Sequence, residues 1–323
     1  MKNDIKIGVI GGDLRQLFAA DELAAEGYEV AVYGFDEYAG SFGMTTRCLS
    51  IHDTIRKAKF IVLPLPYSID KIHLNTPLSQ CEIHLEEIFN SESINENQVI
   101  AGGKFDLTAE NLASRKNLNL IDYYKREDLS VLNALPTAEG AINIAMQELP
   151  TTLSNSKVLV MGYGRIGKIL AHKLYGLHTD VYVSARKHED FAWIEAFGYK
   201  GVRYSDIDKH LGGFDVIFNT APVLMLDGNR LEKIKSDAVI IDLSSAPGGV
   251  DFNAAKYLGK NVIWALSLPG KYAPSTAGKT LAKIIKIILN DIDDTDIINM
   301  TDIQDINIKN KPDTIFENSE RIV

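Results

Sequence analysis

The chain predicts an α/β fold of two Rossmann-like domains, each a doubly wound parallel sheet, with a cleft between them. Three features carry that expectation. Apolar strands alternate with helical patterns along most of the sequence, which is the signature of a layered α/β architecture. A glycine fingerprint stands between a strand and a helix near the middle of the chain. The 323 residues, 46% of them hydrophobic, suffice for about two cores of ordinary domain size.

Taken in order, an apolar strand runs over 5–10, a helix over 15–26 and a second strand over 30–33, and the strand series continues at 60–63, 98–101 and 117–121. After a connecting segment comes a helical stretch, 137–149, broken at Pro150. The second unit begins at Lys157 and repeats the logic, with strands near 158–161, 181–183, 216–219, 239–242 and 262–265. A strongly apolar helix over 276–289 follows. Its Leu281, Ile284, Ile285 and Ile288 share one face that must be buried, and we expect it to return to the first domain. Beyond Asp291 the sequence is polar, acidic and rich in asparagine, the composition of a loosely held tail. The expected organisation is therefore a substrate domain over 1–130, a cofactor domain over 131–275, the helix 276–290 packing back on the first, and a flexible tail over 291–323.

The fingerprint is Gly162-Tyr163-Gly164-Arg165-Ile166-Gly167, fed by the run Val158-Leu159-Val160-Met161. The first glycine permits the tight bend, the second lets backbone amides approach a pyrophosphate, and the third lets the helix lie close to the strand. The helix N-terminus then faces the anion. Apolar residues at helical spacing, Ile166, Ile169, Leu170 and Leu174, follow, and the strand Val181-Tyr182-Val183 comes at the right distance. A nicotinamide dinucleotide is the expected cofactor.

At the end of that strand an NAD site usually carries an acid for the ribose hydroxyls, whereas a 2′-phosphate needs room and positive charge. Here the residues are Ser184-Ala185-Arg186-Lys187, with no acid before Glu189. Ser184, Arg186 and Lys187 thus favour NADP, the alternative being that the two cations belong to a solvated loop. Two later loops lie at strand ends that face the same crevice: Asn219-Thr220-Ala221-Pro222 suits the nicotinamide ribose, and Asp242-Leu243-Ser244-Ser245 suits the carboxamide or is ordinary turn chemistry.

The net charge of −9 argues against a nucleic-acid binder. No apolar run approaches transmembrane length, and the N-terminal segment is too short before its first glycine to act as a signal peptide. Cys48 and Cys81 have no metal-ligand spacing, so neither a zinc site nor a disulfide framework is expected, and a cytoplasmic protein fits best.

The first domain has its own glycine turn, Gly11-Gly12-Asp13-Leu14-Arg15-Gln16, which lacks a third glycine and puts the charge of Asp13 where a pyrophosphate would sit. Its backbone amides, with Arg15 and Gln16, are expected to hold a carboxylate instead. The alternative is that Asp13 caps the helix and Arg15 is solvated.

Five segments in order resemble the family of the dipicolinate synthase A-subunit over about residues 4–290: Val9-Ile10-Gly11-Gly12-Asp13-x-Arg15-Gln16, Leu135-Pro136-Thr137-Ala138-Glu139-Gly140, the fingerprint, Asp242-Leu243-Ser244-Ser245-Ala246-Pro247-Gly248-Gly249, and Leu268-Pro269-Gly270-Lys271-Tyr272-Ala273-Pro274. The resemblance implies a bacterial sporulation enzyme of the mother cell that oxidises a dihydrodipicolinate with a nicotinamide cofactor. It also implies a partner, the flavoprotein-like B-subunit of dipicolinate synthase, and leaves room for a homo-oligomer. In its light Glu139 and Thr137 open the helix that joins the domains, Glu139 acting either as the base that takes a ring proton or as a complement to the helix dipole. Arg15, Arg126 and Lys271 become the cations for a dicarboxylate, with Gly12 and Gln16 beside them and Asp13 at the same turn.

Two other readings remain open. D-2-hydroxyacid dehydrogenases share the layout but use a histidine after the late strands, and Ser267-Leu268-Pro269-Gly270-Lys271-Tyr272 has none. A non-catalytic NADP-sensing or scaffold protein would use the same fold without turnover.

Overall fold

The computed structural model describes residues 6–296. The first sheet is built from β1 (Lys6–Ile10), β2 (Glu29–Tyr33), β3 (Thr46–Arg47), β4 (Phe60–Val62), β5 (Val99–Gly102) and β6 (Asn119–Asp122), with α1 (Leu14–Ala25), α2 (Ile51–Lys57), α3 (Leu85–Phe89) and α4 (Leu107–Ser114) between them. The long helix α5 (Glu127–Glu148) then leads to the second sheet, β7 (Lys157–Met161), β8 (Asp180–Ala185), β9 (Lys200–Arg203), β10 (Val216–Asn219), β11 (Val239–Asp242) and β12 (Asn261–Trp264). Its helices are α6 (Arg165–Gly176), α7 (His188–Ala196), α8 (Gly228–Lys233) and α9 (Phe252–Tyr257), followed by α10 (Leu268–Tyr272) and α11 (Pro274–Asp296).

Both sheets are parallel throughout, ordered β3-β2-β1-β4-β5-β6 and β12-β11-β10-β7-β8-β9. Strand order therefore reverses between β1 and β4 and again between β7 and β10, and a ligand crevice opens at the carboxyl ends of strands at such a point. Helices cover both faces of each sheet, so the central strands are apolar without alternation. Val158, Leu159, Val160 and Met161 of β7 are all fully buried, as are Val216, Ile217 and Phe218 of β10.

The expected division at 130/131 falls inside α5, and both sheets, with the chain through Ala282, form one compact unit. On α11, Gly278 lies against α1 so closely that a Cβ there would meet Phe18 Cβ at 2.5 Å and the Arg15 carbonyl at 2.8 Å. The chain from Lys283 forms a second unit, in which Ile284, Ile285 and Ile288 are buried. Helix α11 continues to Asp296, so 291–296 is helical rather than the start of the tail; the rest of the expected tail, 297–323, lies outside the described residues. Among the described residues no helix is long and apolar enough to cross a membrane.

Candidate active site

The crevice of the second sheet shows three glycines with three separate reasons. Gly162 has φ +99°, a turn conformation that side chains disfavour, and a Cβ on it would lie 2.5 Å from Thr220 Oγ1. Gly167 sits over the Gly162 carbonyl, which a Cβ would approach to 2.1 Å, so helix and strand meet here only without a side chain. Gly164, the N-cap of α6, has φ −81° and opens onto space with nothing within 4 Å of a Cβ. The backbone at Gly164 is thus bare where a pyrophosphate would approach the N-terminus of α6, and the site fits a dinucleotide. Across the crevice Thr220 donates from both its amide and Oγ1 to the Met161 carbonyl, at 2.9 Å each, fixing the loop that carries Ala221 and the exposed Pro222. Ile166 is partly buried, while Arg165 is exposed and reaches Glu127 on α5 at 3.0 Å.

Ser184, near the end of β8, is buried, and its carbonyl accepts from the Gly162 amide at 2.9 Å. Lys187 caps α7 by its backbone and turns its ammonium to Glu189 at 3.1 Å, an exposed pair of small weight. Arg186 is exposed with no ion pair or hydrogen bond to another described residue. Of the two cations it is the one without a carboxylate partner among the described residues.

Asp242 and Ser244 do not face the cofactor crevice, and that expectation is corrected. Asp242 is fully buried, and its carboxylate accepts from Asn219 Nδ2 (2.9 Å), Ser244 N (3.0 Å), Ser244 Oγ (2.7 Å) and Gly249 N (2.7 Å). Three of these bonds fall on Oδ1 and the Gly249 bond on Oδ2, so both oxygens of the buried carboxylate are engaged by the loops themselves. Asn219, also fully buried, completes the knot through Ala221 N and O, and a Cβ at Gly249 would strike its Nδ2. Asn219 is thus the organising residue of these loops, a role its sequence context does not announce, although a polar residue ending an otherwise apolar strand is the available signal.

The first sheet's crevice is closed by its own chain. The segment after β4 returns so that Asn75 O accepts from the Gly12 amide at 2.9 Å, while Thr76 and Leu74 crowd Gly11, whose own amide donates to Tyr33 O. The amide of Asp13 goes to Gln16 Oε1 and that of Arg15 to Asp13 Oδ1, forming a capping box on α1. The amides of Gly11, Gly12, Asp13 and Arg15 are therefore all engaged, and the expectation that they hold a carboxylate is corrected. Gln16 is corrected too, being 1% exposed, with Nε2 buried toward the Tyr123 hydroxyl without closing a hydrogen bond of normal geometry. Burial keeps the Tyr123 phenol well above its usual range, and it donates to Leu63 O.

Arg15 behaves differently. Its Nε and Nη2 clamp the Asp13 carboxylate and Nη2 also reaches Leu65 O at 2.7 Å, which leaves Nη1 uncommitted. Asp13 is consumed as cap and clamp and is not placed as a catalytic group. Gly270 of α10 comes down on this pair, where a Cβ would stand 3.0 Å from Arg15 Nε and 3.1 Å from Asp13 Oδ2. The neighbouring Lys271 is exposed. The Asp13–Arg15 pair of the first sheet and α10 after the second sheet thus meet at one point.

The segment carrying Thr137 and Glu139 does not open a helix. Helix α5 starts at Glu127 and takes Pro136 inside it, so both residues lie in mid-helix. Thr137 Oγ1 donates back to Asn133 O, and Glu139, 57% exposed, is paired with Lys173 at 2.8 Å. Lys173 lies eight residues along α6 from Arg165, or about 12 Å of helix rise from the glycine turn. Glu139 is therefore outside the crevice, and its role as base is withdrawn. Arg126 stands at the start of α5 with its guanidinium turned onto Asp128 (Nη2 to Oδ2 2.9 Å), and holds that carboxyl below its ordinary range, so the side chain is engaged by Asp128.

Comparison with known proteins follows the same two halves. Residues 6–124 match the model of the N-terminal domain of the dipicolinate synthase A-subunit, and residues 137–257 that of the D-isomer specific 2-hydroxyacid dehydrogenase NAD-binding domain. The dipicolinate synthase A-subunit of Bacillus subtilis (strain 168) is 30% identical over 292 residues, 90% of this chain and 98% of that one. The crystal structure of its counterpart from Bacillus halodurans superposes with a TM-score of 0.81 at 30% identity, covering 90% of this chain and 99% of the other. A shikimate dehydrogenase (NADP(+)) of Methanococcus maripaludis is 24% identical over 62% of this chain and 82% of its own length. Transhydrogenase from Sinorhizobium meliloti, at 14% identity and TM-score 0.64 over 88% of this chain and 94% of that one, shares the fold.

Proposed function

The chain belongs to the family of the dipicolinate synthase A-subunit, and from that premise we propose that it oxidises a dihydrodipicolinate to pyridine-2,6-dicarboxylate with NADP. Its dehydrogenase-type cofactor domain makes it an oxidoreductase of the nicotinamide class. The observation that carries the reading is the contrast between two similar sheets: the crevice at Gly162–Gly164–Gly167 is open and bare, whereas that at Gly11–Gly12 is filled by Asn75 and Thr76. One half takes the dinucleotide and the other serves the substrate.

Bound, the nicotinamide supplies a hydride acceptor at C4. The protein's own part is to bind, orient and exclude water. Arg186, with Ser184 beside it, receives the 2′-phosphate. Thr220 and Ala221, held by the Asn219–Asp242 knot, wall the ribose side. Arg15 offers Nη1 to a substrate carboxylate while Asp13 and Leu65 O fix the plane of its guanidinium, a preorganised single-nitrogen donor. Lys271, one residue from Gly270, takes the second carboxylate. Oxidation would pass a hydride to the nicotinamide and release a proton to water, and it makes the ring aromatic, so positioning rather than driving force is what these residues supply.

The setting that goes with this activity is the sporulating mother cell, with the flavoprotein-like B-subunit of dipicolinate synthase as partner and self-association of this chain as a further property. The test is direct. The purified chain, alone and with the B-subunit, is mixed with NADP and freshly made dihydrodipicolinate, and absorbance at the reduced-nicotinamide band is followed. Growth of that band is expected; its absence in both mixtures refutes the reaction.

A further inference from the structure

On the cofactor half, away from the crevice mouth, α5, α6 and α7 enclose a pocket of about 480 Å³ that the reaction does not use. One wall is a row of nearly parallel rings: Trp193 and Phe197 lie 5.8 Å apart at 21°, and Phe197 and Tyr199 lie 5.9 Å apart at 22°. The lining also includes Tyr163, with Lys168 Nζ 5.5 Å from its ring centre, and His172. Trp193 and Phe197 are 56% and 48% exposed, an unusual state for large aromatic residues beside one another.

We propose that this pocket is a second small-molecule site, for a planar aromatic carboxylate, and that its occupant bears on cofactor binding through Tyr163. The size lies within the range of small-ligand cavities. Trp193, the exposed end of this stacked row, is the ring on which a flat ligand can continue the stack. Lys168 is the cation of the lining that has no carboxylate partner among the described residues: Lys173 is paired with Glu139, and Asp190 of α7 acts on Tyr163 from outside the lining. Lys168 meets only the Tyr163 ring, so an incoming carboxylate can take its ammonium.

Coupling follows from the chain. Tyr163 is the residue between Gly162 and Gly164, 7% exposed, so the back wall of the pocket is the middle of the dinucleotide turn. An occupant that draws Lys168 off Tyr163 loosens that turn and places a second anion near the same helix end that the pyrophosphate uses. The two ligands therefore oppose each other, and by linkage equally in both directions.

The inference is separate from the proposed reaction, since the experiment reads binding without turnover. Fluorotryptophan-labelled protein gives one resonance from Trp193 and one from Trp264, assigned with Trp193→Phe, and is titrated with pyridine-2,6-dicarboxylate as the probe. The Trp193 resonance should shift saturably. Half-saturation should rise about tenfold in Lys168→Glu and about fivefold in Phe197→Ala, both exposed positions. NADP should raise it by about fivefold or more. A Trp193 resonance that stays fixed, or that drifts without saturating, overturns the site. So does one that responds to protein concentration instead, which marks a second copy's side chain in the pocket. A half-saturation indifferent to NADP overturns the link through Tyr163.

Discussion

Replacing Gly164 and Gly167 separately by alanine should split stability from cofactor binding. At Gly167 the new Cβ would stand 2.1 Å from the Gly162 carbonyl oxygen, against an ordinary contact near 3.4 Å, so helix and strand must part by about 1.3 Å. Both partners are backbone, and overpacking of that kind costs about 1–3 kcal/mol. The melting temperature should fall by several degrees. At Gly164 the Cβ meets nothing within 4 Å and φ is −81°, so alanine is sterically free there. The loss of glycine's chain entropy in the unfolded state (about 0.4–1 kcal/mol) and the poorer N-cap nearly offset each other. Its methyl instead occupies the approach of the pyrophosphate, and NADP affinity should drop at least about tenfold, or 1.4 kcal/mol. Thermal unfolding without cofactor and titration with reduced NADP measure the two effects. A Gly164→Ala protein that binds NADP normally would refute the placement of the dinucleotide on this turn, and an unshifted melting temperature in Gly167→Ala would refute the close approach.

Arg186→Ala should weaken NADP by about 1.5–3 kcal/mol while leaving NAD unchanged, as two titrations would reveal; an unaltered NADP-to-NAD ratio rules Arg186 out as the phosphate ligand. Asp242→Asn sets an NH2 group either against Gly249 N or against the Ser244 donors, since these bind different oxygens of the carboxylate. It should destabilise by about 1–3 kcal/mol in denaturant unfolding, and a neutral result would mean the knot is dispensable. Arg15→Ala should raise KM for the dicarboxylate with little change in NADP affinity, whereas Glu139→Gln should leave kcat close to wild type; a large loss of kcat in Glu139→Gln would return that carboxylate to the chemistry. His73 is hydrogen-bonded through Nδ1 to Asp70 at 2.7 Å, which raises its pKa above 6.5 and lowers that of Asp70 below 3.8. The pair's contribution is complete between those two values, fading as pH rises through the raised histidine pKa and as it falls through the lowered carboxyl pKa. An imidazole titration by NMR should show His73 above 6.5 in the native protein and back near it in Asp70→Asn.

What is legible in the sequence is local. The apolar strands of both sheets and the glycine turn after β7 depend on neighbours within a few residues, and they lie within a residue or two of where periodicity puts them. Two of the four edge strands leave no such trace: Thr46-Arg47 of β3 and Lys200-Gly201-Val202-Arg203 of β9 bury little and carry no apolar run, whereas the edges β6 and β12 do carry one. The start of α5 is hidden because Pro136 reads as a first-turn residue, yet the helix absorbs it in its middle. The fate of the first glycine turn is out of reach, because what fills it, Asn75 and Thr76, arrives from more than sixty residues downstream. Asp242 and Ser244 mislead for a related reason: a strand-end acid looks the same in sequence whether it faces a ligand or ties two loops together.

Gly270 is the place where a side chain is missing and distance is set. Since a Cβ there would press on both Asp13 and Arg15, the width of the gap between α10 and α1 is gauged by a hydrogen atom. Such a contact works as a stop. Any side chain at 270 would hold α10 away from the Asp13–Arg15 pair. Arg15 is then both the clamp on Asp13 and the surface on which Gly270 rests, so a larger residue at 270 would shift its guanidinium and the uncommitted Nη1 together.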